Sequence, residues 1–414
     1  MASGPTDRLS FLHLADLRFA RALPLQPDMP PQLRELLLTA KRISLQNALC
    51  RARDRGAQFV ILTGKILGAK RFPPGVLWTL LEDLGQAAKQ GLPVFWAFEE
   101  GRFPAWATPP GDVQLLRQPI ALKTTGAIEK VRLVPLKVWA SRMDSSPCPA
   151  AGKLRNPPGV LTIVAGHFPG GEALRQLMEK HPATYWALGG LARHTIKHGG
   201  QVAHLPGPLQ AERPWQFGPQ AGTLVSLSPS RPPQLEPLST DQVRFVQLHL
   251  DLRQSCGGQE FLEQAAAKVA RLRKAWPTPV ILARWVIHVR PQSNLGCPEA
   301  GIHLEENWRR ELNRVFAQEH PAFWSLEVKI CGHGLKQQAE AHPFAGLVLQ
   351  ELKSPAHWQQ AALQLSGQAQ RILGQGQLLA RVSSHLGRKG VQKLLARTAA
   401  WQAWQLLQPG GEGA

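Results

Sequence analysis

Phe59-Val60-Ile61-Leu62-Thr63-Gly64-Lys65 decides the fold. Bulky and β-branched residues run without a charge until a glycine and then a cation break them off. A short run that is apolar at every position reads as a strand buried on both faces, the kind found in parallel sheets covered by helices. Its flanks agree. Leu33 to Arg55 before it has apolar residues at helical spacing with basic residues on one side, and Leu77 to Gln90 after it is a second amphipathic helix. Leu9 to Leu14, Pro93 to Phe98, Val131 to Val138 and Val160 to Ala165 are further strand-like runs. Alternating strand and helix patterns predict a layered α/β domain.

The remainder divides into three expectations. Asp144 to Pro158 is rich in Ser, Pro, Gly and Ala and reads as a surface loop; Ser228 to Ser239, rich in Pro and Ser, reads as the end of the first domain. Beyond it, Val243 to Leu252, Val280 to Val289 and Phe323 to Ile330 read as strands, with Gln259 to Ala275 and Leu304 to Gln318 as helices. The expected organisation is therefore an α/β domain over 1–230, a smaller α+β unit over 240–335 and a helical region over 336–414. Trp96 and Trp186 lie in apolar strands and are expected in the core, whereas Trp401 and Trp404 with Leu394 and Leu395 form either a docking face or an internal seam.

Composition narrows the function classes. The 414 residues carry 48 Lys and Arg against 29 Asp and Glu, a formal charge of +19. Such an excess favours a polyanionic partner, with nucleic acid ahead of a membrane surface because no basic amphipathic anchor stands out. No apolar run is long enough to span a bilayer, and the Met1 to Asp7 start lacks a signal-peptide pattern. The five cysteines, Cys50, Cys148, Cys256, Cys297 and Cys331, have no Cys-x-x-Cys spacing and read as reduced thiols of a cytoplasmic protein.

Five segments in order carry a more specific signal. They are Leu12-His13-Leu14-Ala15-Asp16-Leu17-Arg18, the Phe59 to Lys65 run, Pro93 to Arg102, Ile163-Val164-Ala165-Gly166-His167, and Tyr185-Trp186-Ala187-Leu188-Gly189-Gly190-Leu191-Ala192-Arg193. Together with Leu205-Pro206-Gly207, Arg213 and the Phe217 to Gly222 stretch, this series resembles the calcineurin-like metallophosphoesterases, most closely the DNA-repair exonucleases of the SbcD and YhaO type. The resemblance covers roughly residues 9 to 230. It implies a layered metallophosphoesterase sandwich with a smaller α+β capping domain and a helical tail.

Such enzymes hydrolyse phosphodiesters with two divalent ions, which activate water and neutralise charge building on the phosphate. The resemblance places their ligands at these strand ends, but most are replaced. Asp16 is present, while Arg18 stands where the family has a histidine. Lys65 replaces the bridging aspartate after Gly64. Glu99-Glu100-Gly101-Arg102 stands where the family has Gly-Asn-His-Asp/Glu, so Glu100 and Gly101 occupy vacated roles. His167 matches the fourth segment's ligand, whereas Gly190 and Ala192 replace both histidines of the fifth. Asp16 and His167 are thus the remnant ligands.

Two fixed cations at Arg18 and Lys65 would exclude a divalent ion from the same space. They are expected to replace the metals, pairing with Asp16 and with Glu99 or Glu100. The resulting expectation is an inactive relative of double-strand-break repair exonucleases, a DNA-binding or scaffolding subunit beside an SMC-like coiled-coil ATPase, with no cofactor. Arg18, Lys65, Arg193 and Arg213 are the candidate nucleic-acid contacts. The helix bearing Arg34, Lys41, Arg42, Arg51 and Arg53 is either a DNA-facing element or a solvated face. The alternative is an active nuclease holding two Mn2+ or similar ions through Asp16, His167, Glu99, Glu100 and His194. A homodimer, the habit of that family, is open, and with DNA as partner the expected location is the nucleoid. His194, His198 and His204 would form a metal site only on a helix, and loop and strand are expected there.

Overall fold

The structure, a computed structural model, describes residues 8–69, 71–97, 103–104, 106–122, 130–136, 160–167, 171–180, 182–190, 192–229, 231–252, 258–276, 280–289 and 304–332. The chain divides into two compact units, the first running to Val246 with short pieces in 277–282 and 321–323. Glu99, Glu100, Gly101, the Asp144 to Pro158 stretch and the 336–414 region with its tryptophans lie outside the described residues.

The first unit is an α/β sandwich built on two six-stranded sheets. One has the order β12-β11-β1-β2-β3-β4: Arg231–Ser239, Ala221–Ser228, Leu9–Ala15, Val60–Thr63, Val94–Trp96 and Val113–Leu115. The other has the order β5-β6-β7-β8-β10-β9: Ile120–Leu122, Lys130–Leu136, Val160–His167, Tyr185–Gly189, Gln201–Leu205 and His194–His198. β1 to β4 run parallel, as do β6, β7, β8 and β10. Helices α1 (Pro31–Asp54), α2 (Pro74–Lys89) and α3 (Gly171–Lys180) complete it.

Side-chain alternation explains the layering. On β1, Leu9 and Phe11 join Phe59, Ile61, Phe95, Tyr185 and Ala187 in a core that draws on both sheets. Leu12 and Leu14 face the other way, into a core shared with Leu45, Leu49, Leu77 and Leu81 of α1 and α2. On β8, Trp186 and Leu188 pack with Leu174 and Met178 of α3. A strand apolar at every position is therefore what a four-layer helix–sheet–sheet–helix arrangement requires. Phe11 stacks on Phe59 at 4.9 Å and meets Tyr185 edge-on at 5.6 Å; such pairs contribute about 0.5–1.5 kcal/mol each beyond their buried area. Trp96 and Trp186 are buried, as expected.

Residues 231–239, expected as the end of the first domain, form β12 instead. Among the described strands, β12 lies at a sheet edge and pairs with β11. An edge strand tolerates Pro232, Pro233 and Pro237 because half its backbone groups need no partner.

The second unit holds most of a three-stranded sheet, β13-β14-β15 (Val243–Leu252, Val280–Val289, Phe323–Gly332), with α4 (Gly258–Ala275) and α5 (Leu304–Glu319). Phe261 of α4 meets Trp308 of α5 at 4.7 Å. Trp285 donates to Ser325 Oγ at 3.0 Å, and Asn313 and Ser325 exchange two hydrogen bonds. Among the described residues no helix is long and apolar enough to cross a membrane.

Candidate functional site

The loops after β1 and β2 run side by side, and their backbones set the site. Asp16 N–H donates to Thr63 O at 3.1 Å, Arg18 N–H to Lys65 O at 3.0 Å and Phe19 N–H to Ile66 O at 2.8 Å. Holding this path puts both Asp16 (φ 50) and Arg18 (φ 44) in the left-handed region. Aspartate enters that region readily; an arginine there stores strain on the order of 1 kcal/mol or more.

Asp16 is 2% exposed. Its Oδ1 accepts the Lys65 N–H at 3.0 Å and its Oδ2 accepts the Gly190 N–H at 2.5 Å. One carboxylate thus clamps the end of β2, in the first sheet, to the end of β8, in the second. The approach is close enough to demand glycines. A Cβ on Gly189 would stand 2.6 Å from Gly64 Cα, and one on Gly64 2.8 Å from Asp16 Oδ1.

His167, at the end of β7, lies in register with Gly189. Its imidazole fills the space that a side chain at Gly190 would enter, since a Cβ there would fall 1.6 Å from Cε1. Burial lowers the His167 pKa; Asp16 opposes the shift, while Lys65 and Arg18 add to it. The ring is therefore neutral at neutral pH, with two cations near it.

Arg18 does not pair with Asp16. Its guanidinium faces Glu212 at 3.7 Å, and Lys41 of α1 holds the same carboxylate at 2.5 Å while donating to Arg18 O at 2.7 Å. The expected Asp16 pairing gives way to Glu212, a buried carboxylate that the Arg18 guanidinium faces instead. Arg18 Nε remains buried without an acceptor among the described residues. Burial lowers the Lys41 pKa, against the pull of Glu212. Lys65 contributes its backbone N–H to the clamp, and its side chain is exposed.

A two-metal centre does not fit these residues. Both Asp16 oxygens are engaged, position 65 offers an ammonium and position 190 offers no side chain. Ala192 is exposed and brings no donor. Among the described residues no group of three or more His, Cys, Asp or Glu is arranged to hold a metal ion. His194 and His198 lie on β9 and His204 on β10, as strands, so the three share no ligand set.

No protein-family model and no curated protein matches the sequence. Among solved structures, the crystal structure of TT1561 of Thermus thermophilus is similar. The match covers 56% of this chain and 99% of that one, at 13% identity and a TM-score of 0.36, too distant to transfer chemistry.

The remaining expected contacts separate. Arg193 donates to Pro206 O and Ala221 O, each at 2.9 Å, and so clips the β8–β9 connection to β11. Arg213 is exposed, with its guanidinium carbon 5.2 Å from the centre of the Trp215 ring. The basic helix α1 is engaged within the fold: Arg42 grips Asp83, Arg51 donates to Ser239 O, Arg53 to Gln90 and Arg34 to Pro27 O. Four of its five named cations thus hold neighbouring elements, and the fifth, Lys41, holds Glu212.

Two features escape sequence reasoning. Glu212 is one; its only signal is a lone carboxylate directly before Arg213. The other is a buried polar network between the sheets. His13 on β1 meets Tyr185 Oη through Nδ1 and Thr63 Oγ1 through Nε2, both at 2.9 Å. His204 meets Thr195 Oγ1 and Thr223 Oγ1, both at 2.8 Å. A histidine at an inward position of an apolar strand was the available signal for each.

Proposed function

We propose that the chain is a catalytically inert relative of the phosphoesterase-type exonucleases that binds DNA and serves as a scaffold beside an SMC-like coiled-coil ATPase. The observation that carries the inert half is the clamp on Asp16. A carboxylate whose two oxygens accept the Lys65 and Gly190 N–H groups acts as a structural tie where the resemblance puts a metal ligand. The five sequence segments support the family and the ATPase partner.

Charge supports the DNA half. The chain carries +19, and Arg18 and Lys65 stand near enough to His167 to shift its proton affinity. Strand ends lined by cations suit a phosphate group, which needs donors rather than ligands. Lys65, whose side chain is exposed, is one such donor. Contacts to phosphates confer affinity without sequence preference and weaken steeply with salt.

Anisotropy of a labelled duplex oligonucleotide titrated with the full chain tests this, with Mn2+ stoichiometry and nuclease assays run in parallel. The expected result is binding whose logarithm falls linearly with the logarithm of salt concentration, no retained Mn2+ and no cleavage. Near two ions per chain with metal-dependent cleavage would overturn the inert half. Absence of any retained DNA at low salt would overturn the DNA half.

A further inference from the structure

Glu212-Arg213-Pro214-Trp215-Gln216-Phe217 forms a fixed turn with an exposed aromatic and cationic tip. Its root is buried, because Glu212 is held by Lys41 at 2.5 Å. The turn closes through the Gln216 N–H to Arg213 O at 2.9 Å. The Gln216 side-chain oxygen then accepts the N–H groups of Glu212 at 2.8 Å and Arg213 at 3.1 Å. On the far side, Gly218 N–H donates to Phe245 O at 3.2 Å. A turn braced at its root, closure and exit presents its side chains in a fixed geometry.

Those side chains are unusual for a surface. Trp215 is 63% exposed and Phe217 44% exposed, while the Arg213 guanidinium carbon lies 5.2 Å from the centre of the Trp215 ring. Exposed aromatics this large are informative where buried ones are not. The bracing spends several backbone and amide hydrogen bonds on keeping an indole in water, with a guanidinium over one of its faces.

We infer that this turn is a stacking platform for unpaired bases of single-stranded DNA. The indole face away from Arg213 and the phenyl ring offer π surface to bases, and every base has such a face, so stacking tolerates any sequence. Base faces are open only when the strand is unpaired; in a duplex they are covered by their neighbours. Arg213 supplies a cation to the adjoining phosphate or a guanidinium face to the next base. The +19 charge of the chain favours this occupant over an uncharged apolar partner. The platform rests on the DNA-binding function proposed above and refines it by naming the form of DNA preferred.

The test uses the full chain and its Trp215→Ala, Trp215→Phe and Arg213→Gln variants, each titrated against a labelled oligothymidylate and a matched duplex at one low salt concentration. Trp215→Ala is expected to weaken oligothymidylate binding by roughly 5- to 100-fold while changing duplex binding far less. Trp215→Phe, which retains a ring, should keep most of the affinity, and Arg213→Gln should fall between the two. Parent protein that binds the single strand as tightly as Trp215→Ala does would overturn the platform and leave DNA binding intact. Parent protein that binds neither DNA would overturn both.

Discussion

The carboxylate of Asp16 accepts the backbone N–H of Gly190 at 2.5 Å, and so a residue at the end of β1 holds the end of β8 in the opposite sheet. With its other oxygen on Lys65 N–H, it makes the strand ends of the sandwich one hydrogen-bonded cluster. Charge-assisted bonds of this kind are the stronger sort. Asp16 therefore acts as part of the framework.

Removing that carboxylate should cost stability, with or without metal. Asp16→Ala leaves two sheltered N–H groups without acceptors and is expected to destabilise by about 3 kcal/mol, Asp16→Asn by less because one acceptor survives. Urea unfolding followed by circular dichroism, with and without chelator, measures both. A chelator-dependent loss in the parent protein would return Asp16 to the role of ligand.

Lys65 gives the opposite expectation. Its backbone N–H holds Asp16 while its ammonium is exposed, so Lys65→Gln should change stability by no more than about 0.5 kcal/mol. If the ammonium meets a phosphate, the slope of log affinity against log salt should fall by about 1. Unfolding midpoints and duplex titrations at four salt concentrations separate the two effects.

These two residues mark how far the sequence can be read. The strands of the first unit are legible because Leu9 and Phe11 face one layer and Leu12 and Leu14 the other, which leaves an unbroken apolar run. The cation at Lys65 and the bare backbone at Gly190 are legible too, since both stand directly after apolar strand runs. The partner of Arg18 is not. Glu212 meets it only through the return of the chain after β10, and no local spacing encodes that meeting. Likewise the prolines of β12 signal a break in any local scheme, and only the position at a sheet edge makes them tolerable.

Gly190→His would add an imidazole where the backbone leaves no room for one. Gly190 has φ 107, and its Cβ would collide with the His167 ring. The variant is expected to lose more than about 3 kcal/mol or fail to accumulate as soluble protein. Adding His167→Ala should recover part of the loss by clearing the ring, leaving the backbone strain. A double-mutant cycle on unfolding free energy checks the coupling, and recovery of nothing would mean the ring is not the obstacle.

The Lys41–Glu212 pair should behave as a buried ion pair does. Glu212→Gln removes the anion from an ammonium held at 2.5 Å and is expected to cost about 3–5 kcal/mol. Lys41→Met with Glu212→Leu replaces both charges with apolar volume and should recover part of that, the remainder being the Arg18 guanidinium left without Glu212. The turn that follows Glu212 would lose its anchor in the single variant, so oligothymidylate binding should weaken in parallel with stability.

Acid should weaken the protein through the histidines between its sheets. Burial lowers the pKa of His13 well below its usual range, with His204 adding to the effect; burial lowers His204 to about 4, with Arg193 adding to it. Both rings are therefore neutral in the fold, while in the unfolded chain they gain protons near pH 6.5. Above that pH neither state binds the proton and the histidines contribute no pH dependence. Below it the unfolded chain binds more protons than the folded one, so stability falls as pH drops. For His204 the loss spans pH 6.5 to about 4 and amounts to about 3 kcal/mol. Urea unfolding at pH 7.5, 6.5, 5.5 and 4.5 should show a flat region and then a decline, and His204→Asn should reduce the slope of that decline whatever it does to stability at pH 7.5. An unchanged slope in the variant would mean that His204 is protonated within the fold and that its two threonine partners, not its neutrality, set its contribution.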